Sequence, residues 1–130
     1  KYRPQDILAY GRGDDHFESI WIQTQMIRLV NRYYSIPGNG EQSFVKVVNR
    51  GQLNYYHWEY EDGEFNTIEF IPLFKESNRP DMVRVTQGIL GLKRKRLTEY
   101  FRNCPQIVSA IESNQLTSPE EILGFYSHCR

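Results

Sequence analysis

The sequence predicts an α+β fold, in which an antiparallel, twisted or barrel-like β-sheet of about six or seven strands precedes three short C-terminal helices. Turn residues separate short β-favourable runs through roughly the first two thirds of the chain. The connections are too short for the crossover that parallel strands need, so neighbouring strands are expected to be antiparallel. After the sheet, from residue 89 onward, apolar residues repeat at helical spacing instead.

The first predicted strands are separated by turns rich in glycine and aspartate. Residues 7–12 predict one strand, and residues 16–22 predict a second that pairs back on it. Residues 26–34 form a single further β-favourable run. The sequence Pro-Gly-Asn-Gly at 37–40 then predicts a loop.

Residues 43–74 predict a three-stranded meander, the clearest local pattern in the sequence. Its strands are 43–48, 52–60 and 65–74. In the first turn Gly51 can take the left-handed conformation, and Asp-Gly at 62–63 is a strong hairpin signal for the second. A last strand, 82–86, follows a turn at 79–81.

Three helices are predicted in the C-terminal module. The apolar residues that mark the first two are Leu92, Leu97, Tyr100, Phe101, Ile107, Val108 and Ile111. Pro105 separates them, because proline cannot continue a helix without losing a hydrogen bond. The third helix is predicted to begin at Ser118 as N-cap, with Pro119 in the first helical position and Glu121 placed to complete a capping box. The helices are expected to fold against the sheet.

Length and composition narrow the class of protein. The 130 residues predict a single domain, β-rich over 1–88 and helical over 89–130. Hydrophobic residues make up 39% and aromatic residues 14%, too much for a disordered chain. The charges balance at 16 basic and 16 acidic residues, which argues against a nucleic-acid partner. No apolar run reaches the roughly 18 residues of a membrane-spanning helix, so this segment is not predicted to be transmembrane.

The two cysteines, Cys104 and Cys129, lie in the helical module. They are too few for a four-ligand zinc site, and they lack the CxxC spacing of a redox motif. A disulfide and a pair of buried thiols both remain open. Cys104 lies at the junction of the first two helices and Cys129 at the end of the third, so a compact three-helix module could bring them together.

Three stretches together resemble a known family: residues 3–11 (RPQDILAYG), residues 43–60 (SFVKVVNRGQLNYYHWEY), and 100–111 with 120–129 (YFRNCPQIVSAI and EEILGFYSHC). The set is similar to uncharacterised exported proteins of Bacteroidetes-type bacteria. Those proteins have a signal peptide and two strands before the part that matches Lys1. Asn103 departs from the aspartate that is common in the family before Cys-Pro.

The resemblance implies an extracytoplasmic protein, in the periplasm or cell envelope. A disulfide between Cys104 and Cys129 would persist in that oxidising compartment, and it would stabilise the fold by roughly 3 kcal/mol. The resemblance also implies that N-terminal strands precede Lys1. A sheet edge left open by their absence could drive homodimerisation. No activity is known for the family, so it implies no catalytic residue and no cofactor.

The strongest candidate site is an aromatic strand. Alternation places Tyr56, Trp58 and Tyr60 on one face and residues such as Tyr55 and His57 on the other. The first three are our candidate ligand-binding residues, as a stacking platform for a sugar, a peptide or a base. The alternative is that one face packs under the helices and the other is covered or half-exposed, since Tyr and Trp are common in strands.

The remaining motifs predict structure rather than chemistry. The basic run at 93–96 points in several directions on a helix, and Glu99 is expected to pair with Lys95. Asp-Asp-His at 14–16 reads as a turn, and the other two histidines, His57 and His128, lie far apart in sequence. No metal site, cofactor or catalytic residue is therefore predicted.

The sequence favours a non-enzymatic, exported module that binds a partner protein or another envelope component. One alternative is a small-ligand or glycan-binding domain that uses exposed aromatic side chains. Another is an enzyme whose site is assembled from residues distant in sequence.

Overall fold

The computed structural model of the protein describes residues 3–5, 7–62, 67–87 and 91–129. Its strands are β1 (Ala9–Arg12), β2 (Asp15–Ile27), β3 (Val30–Tyr34), β4 (Glu41–Asn49), β5 (Leu53–Asp62), β6 (Thr67–Glu76) and β7 (Asp81–Arg84). Its helices are α1 (Arg94–Tyr100), α2 (Pro105–Glu112) and α3 (Pro119–Phe125), with a 3-10 turn at Tyr126–His128. The chain divides into two compact units, Lys1–Met82 and Val83–Arg130.

The sheet closes into a six-stranded antiparallel barrel. The strand order is β1-β2-β3-β7-β6-β5-β4, and a further pairing between β2 and β4 joins the two ends. β1 is an extra strand that pairs with the start of β2. This architecture, followed by three helices, confirms the predicted α+β fold class.

Barrel closure depends on the length of β2, which has 13 residues. Its first part pairs with β4, from Phe17 opposite Lys46 to Ile22 opposite Glu41. Its last part, from Gln23 to Ile27, pairs with β3 instead. One strand therefore bridges the two halves of the barrel.

The barrel interior is apolar. Its buried residues are Ile22, Tyr33, Val45, Tyr56, Leu73 and Met82, with Ile20, Val47, Trp58 and Ile71 packed against them. The period-two alternation of each strand explains this set, because Tyr56 faces Leu73 across the β5–β6 pair while Trp58 faces Ile71. Leu53, Tyr55 and Phe74 are also buried, so the start of β5 is covered on both faces.

The turn between β4 and β5 differs from its prediction. The backbone of Gly51 does not take the left-handed conformation. Asparagine side chains hold the turn instead: Asn54 Oδ1 accepts a hydrogen bond from the Gly51 N–H (3.1 Å), and Asn49 Nδ2 donates to the Leu53 carbonyl (3.0 Å). The ladder also shifts register between Val47 and Asn49. Because side chains satisfy the backbone, glycine need not supply the geometry here.

The predicted single run at 26–34 was wrong. The chain reverses there, and Arg28 (φ 52°) and Leu29 (φ 67°) form the turn between β2 and β3. Both residues are left-handed, although neither has the turn preference of Gly, Asn or Asp. The sequence therefore gives no sign of this hairpin.

The second unit has its own set of buried residues. They are Val83, Val85, Leu97, Tyr100, Phe101, Cys104, Ile107, Ala110, Ile111, Leu116 and Ile122.

The predicted start of α3 is confirmed: Ser118 is the N-cap, and its hydroxyl accepts a hydrogen bond from the Glu121 N–H (3.3 Å). The Glu121 carboxylate accepts from the hydroxyls of Ser118 (3.2 Å) and Thr117 (2.9 Å) and from the Thr117 N–H (2.9 Å).

Candidate functional site

The three candidate aromatic residues lie on one side of β5, but that side is the barrel interior. Tyr56 is only 5% exposed and belongs to the core. Trp58 is partly buried against the core, whereas Tyr60 is 49% exposed. The exposure of the three side chains thus increases from Tyr56 to Tyr60. Tyr56 lies in the core and is not part of an exposed stacking platform. Whether Trp58 and Tyr60 bind a ligand stays a prediction.

Trp58 lines an open groove of about 400 Å³. The residues around it are Ile22, Gln23, Thr24, Gly40, Glu41 and Trp58. They come from β2, from the start of β4 and from β5, elements that the barrel closure brings together. A groove of this volume is within the usual range for small-molecule sites.

Gly40 shapes one wall of this groove. Its φ is +82°, and a Cβ built on it would lie 2.2 Å from the Ile22 carbonyl oxygen and 2.8 Å from Gln23 Cα. A side chain there would overlap backbone, so only glycine lets the β3–β4 loop approach β2 this closely. The sequence marked residue 40 as a loop glycine but gave no sign of this contact.

The groove combines an aromatic surface with hydrogen-bonding groups. Trp58 supplies an aromatic side chain above the buried Ile22, and Gln23, Thr24 and Glu41 carry an amide, a hydroxyl and a carboxylate. Such a set can hold a polar ligand that also has an apolar face.

A second polar cluster surrounds Glu18 in the barrel unit. Its carboxylate pairs with Arg50, and the other carboxylate oxygen lies 3.2 Å from His16 Nε2. The Tyr56 hydroxyl contacts the same cluster through a hydrogen bond with Arg50. Burial raises the pKa of Tyr56, which keeps its phenol neutral. The charge of Arg50 lowers that pKa, and the charge of Glu18 raises it by less than Arg50 lowers it.

Two ion pairs lie at and near the acidic turn at 14–16. Lys46 Nζ lies 3.4 Å from Asp15, and Arg12 lies 3.5 Å from Glu59. The carboxylates of Asp15 and Glu59 therefore each face a cation. In the part of the chain that the structure describes, no group of three or more His, Cys, Asp or Glu residues could hold a metal ion.

The three histidines have different neighbours. His16 pairs with Glu18, whereas His57 stacks on Phe70 at 4.0 Å between ring centroids and His128 lies 4.6 Å from the Phe125 ring. His16 and His57 belong to the barrel unit, and His128 belongs to the helical unit.

The basic run at 93–96 behaves differently from its prediction. Arg94 donates to the Ile111 carbonyl (2.8 Å) and to the Asn114 side chain, joining the start of α1 to the end of α2. Glu99 pairs with Arg96 (3.5 Å), and its predicted pairing with Lys95 stays a prediction. Arg94 is thus a structural residue.

The same run also lines one small groove of about 200 Å³, which the predicted scatter of directions did not anticipate. Lys93 precedes α1 with non-helical dihedrals, so it does not follow the helical wheel. Burial lowers the pKa of Lys93, and the nearby charges of Arg84 and Arg96 lower it further.

Cys104 and Cys129 form a disulfide in the structure, with 5.2 Å between their Cα atoms. Cys104 is buried at the start of α2 and Cys129 follows the 3-10 turn, so the bond ties the end of the described chain to the helical unit. A cross-link here restrains a segment that would otherwise fray.

Comparisons with protein-family models, curated proteins and solved structures find no match to the chain. Among the described residues, no helix has both the length and the apolar character to cross a membrane.

Proposed function

We propose that the protein is an exported, non-enzymatic binding module of the bacterial periplasm or cell envelope, related to the Bacteroidetes-type family that its motifs resemble. Its binding site is the groove beside Trp58. The disulfide between Cys104 and Cys129 supports export, because such bonds persist in oxidising compartments.

One observation carries the binding role: Trp58 borders an open groove that also presents Gln23, Thr24 and Glu41. The groove therefore brings an indole beside residues of three hydrogen-bonding types, and recognition of a polar ligand uses such groups.

The same composition favours a glycan over a peptide as the occupant. A sugar ring has an apolar face that stacks on an aromatic side chain, and its hydroxyls bond to amide and carboxylate groups. Tyr60 lies on the same face of β5 two residues further along, and at 49% exposed it extends the aromatic surface. The alternative occupant of the groove is a partner protein of the envelope.

The test is binding of the oxidised protein to arrayed oligosaccharides, followed by calorimetry on those that bind. Trp58→Leu keeps an apolar side chain against the core but removes the stacking surface. Glu41→Gln keeps the size of an exposed side chain and removes its charge. We expect both variants to weaken binding, Trp58→Leu by at least about tenfold, which corresponds to about 1.4 kcal/mol.

Phe70→Leu is the matched control, because Phe70 is an exposed aromatic residue (46%) on β6 that stacks on His57 rather than lining the groove. Its affinity should equal that of the wild type. Glycan binding that survives Trp58→Leu would place the site elsewhere. Absence of glycan binding, with an envelope protein cross-linking near Trp58, would favour the protein partner.

A further inference from the structure

The β2–β3 hairpin ends in a two-stranded ribbon. β4 pairs with β2 only as far as Ile22, and β7 pairs with β3 at Tyr33 and Tyr34. Between these limits the described strands pair only with each other, and residues 24–29 are all exposed. We call residues 26–29 the hairpin apex.

The hairpin apex is strongly apolar for an exposed turn. Leu29 is 92% exposed, Met26 is 68% exposed and Ile27 is 43% exposed. Three large, exposed apolar side chains lie within four residues, and such clustering on a surface marks an interaction site. A single exposed leucine would need no explanation, but this cluster does.

The hairpin segment itself carries charge of one sign. Residues 23–34 contain Arg28 and Arg32 and no acidic residue, although the whole chain has balanced charge. The partner should therefore offer negative charge together with an apolar interior.

The backbone conformation of the turn costs conformational free energy. A two-residue hairpin turn needs positive φ at both central positions, which Asn-Gly supplies most easily. Here Arg28 and Leu29 occupy those positions at φ 52° and 67°. Each non-glycine residue in this conformation costs about 1–2 kcal/mol. Because Leu29 is 92% exposed, it buries almost no apolar area within the fold. We therefore expect its role to lie in contact with another molecule.

We propose that the hairpin apex inserts into the surface of an anionic phospholipid bilayer. By strand alternation Met26 and Ile27 point to opposite faces of the ribbon. A groove on a protein would cover one face, whereas a lipid surface surrounds both. The apolar-plus-cationic composition matches segments that lie in the headgroup–acyl boundary of anionic membranes.

The distance between Leu29 and Arg32 along the ribbon matches the depth to which such segments enter a bilayer. Arg32 lies three positions beyond Leu29, or about 10 Å at the usual strand rise. An apex buried about 5–10 Å therefore leaves Arg32 at the level of the phosphates. Arg28 is in the turn itself, and its long side chain can extend back toward the headgroups.

The test is flotation of the oxidised protein with vesicles of phosphatidylcholine alone and with vesicles that contain phosphatidylcholine and phosphatidylglycerol at roughly two to one. We expect the wild type to float with the anionic vesicles and to remain largely at the bottom with the neutral ones. Raising sodium chloride to about 0.5 M should reduce flotation, because it screens the arginines.

The informative variant is R28N/L29G, which removes the charge and the apolar tip while giving the turn its preferred residues. We expect its partition into anionic vesicles to fall by at least about tenfold. Leu8→Asn is the control, since Leu8 is a leucine of similar exposure (80%) outside the hairpin, and it should bind as the wild type does.

Three outcomes would overturn the proposal. R28N/L29G could float as well as the wild type, or the wild type could bind neutral and anionic vesicles equally. The wild type could also fail to float with either, in which case the hairpin apex meets a protein instead. None of these outcomes depends on the groove at Trp58, so failure here leaves the glycan experiment to be judged separately.

Discussion

Reduction of the disulfide should destabilise the helical unit by a predictable amount. Cys104 and Cys129 are separated by 25 positions. In the loop-entropy model, opening a loop of this length lowers the free energy of unfolding by about 3.5 kcal/mol, because the reduced unfolded chain gains conformational freedom. The bond joins two ends within one unit, Val83–Arg130, so the loss should appear there.

The assay can follow each unit separately. The two tryptophans, Trp21 and Trp58, both lie in the barrel unit, whereas α1, α2 and α3 lie in the other. Urea unfolding with and without reductant, monitored by circular dichroism at the helical minimum and by tryptophan fluorescence, therefore gives one signal for each. Intact-mass alkylation before and after reduction verifies the state of the thiols.

Two results would refute this reasoning. Alkylation of both cysteines in carefully purified, unreduced protein would show that the bond does not form, and it would remove the main support for export. A helical transition that changes by less than about 1 kcal/mol on reduction would show that the reduced unfolded state stays compact. A C104A/C129A variant distinguishes strain caused by free thiols from loss of the cross-link.

Three further substitutions test other parts of the structure. Gly40→Ala should destabilise the barrel by at least about 2 kcal/mol more than Gly38→Ala, measured by urea unfolding, because both glycines have positive φ but only a Cβ at Gly40 would overlap backbone. Leu73→Ala should cost about 2–5 kcal/mol in the tryptophan-monitored transition, since Leu73 is completely buried in the barrel. Hydrogen bonds from Thr117 and Ser118 lower the pKa of Glu121, so its carboxylate stabilises the fold above the ordinary glutamate pKa of about 4.3 and loses that effect as the pH falls. Glu121→Gln should therefore be less stable than the wild type at neutral pH, and the difference should shrink in acid.

The parts of the fold that were predictable are those fixed by local chemistry. Short β-favourable runs joined by brief connections mark β4, β5 and β6, and Ser118 with Pro119 and Glu121 marks the start of α3. Each of these patterns extends over only a few neighbouring residues, so it can be recognised from the sequence alone. The Asp-Gly turn predicted at 62–63 extends beyond the described residues.

The parts that were not predictable depend on pairing between distant residues. Closure of the barrel requires Phe17 to meet Lys46, a register that no short pattern encodes. Without closure the face of β5 that carries Tyr56 and Trp58 cannot be recognised as an interior. The groove follows from the same step, because Gly40 contacts Ile22 only when the loop lies against β2.

The turn at Arg28 and Leu29 was missed for a different reason, and it yields the last prediction. Local preference opposes the observed conformation, so the usual turn signals were absent. Asn and Gly adopt positive φ at much lower cost than Arg and Leu. R28N/L29G should therefore be more stable than the wild type by about 1–3 kcal/mol in the tryptophan-monitored urea transition. Leu29→Ala is the control, since it removes the exposed side chain but keeps a Cβ in the left-handed conformation, and it should gain little. A destabilised R28N/L29G would mean that the arginine and leucine side chains hold the hairpin together, and their retention would then need no membrane. A stabilised variant that no longer binds anionic vesicles would instead show stability given up for a surface function, the usual trade-off at functional sites.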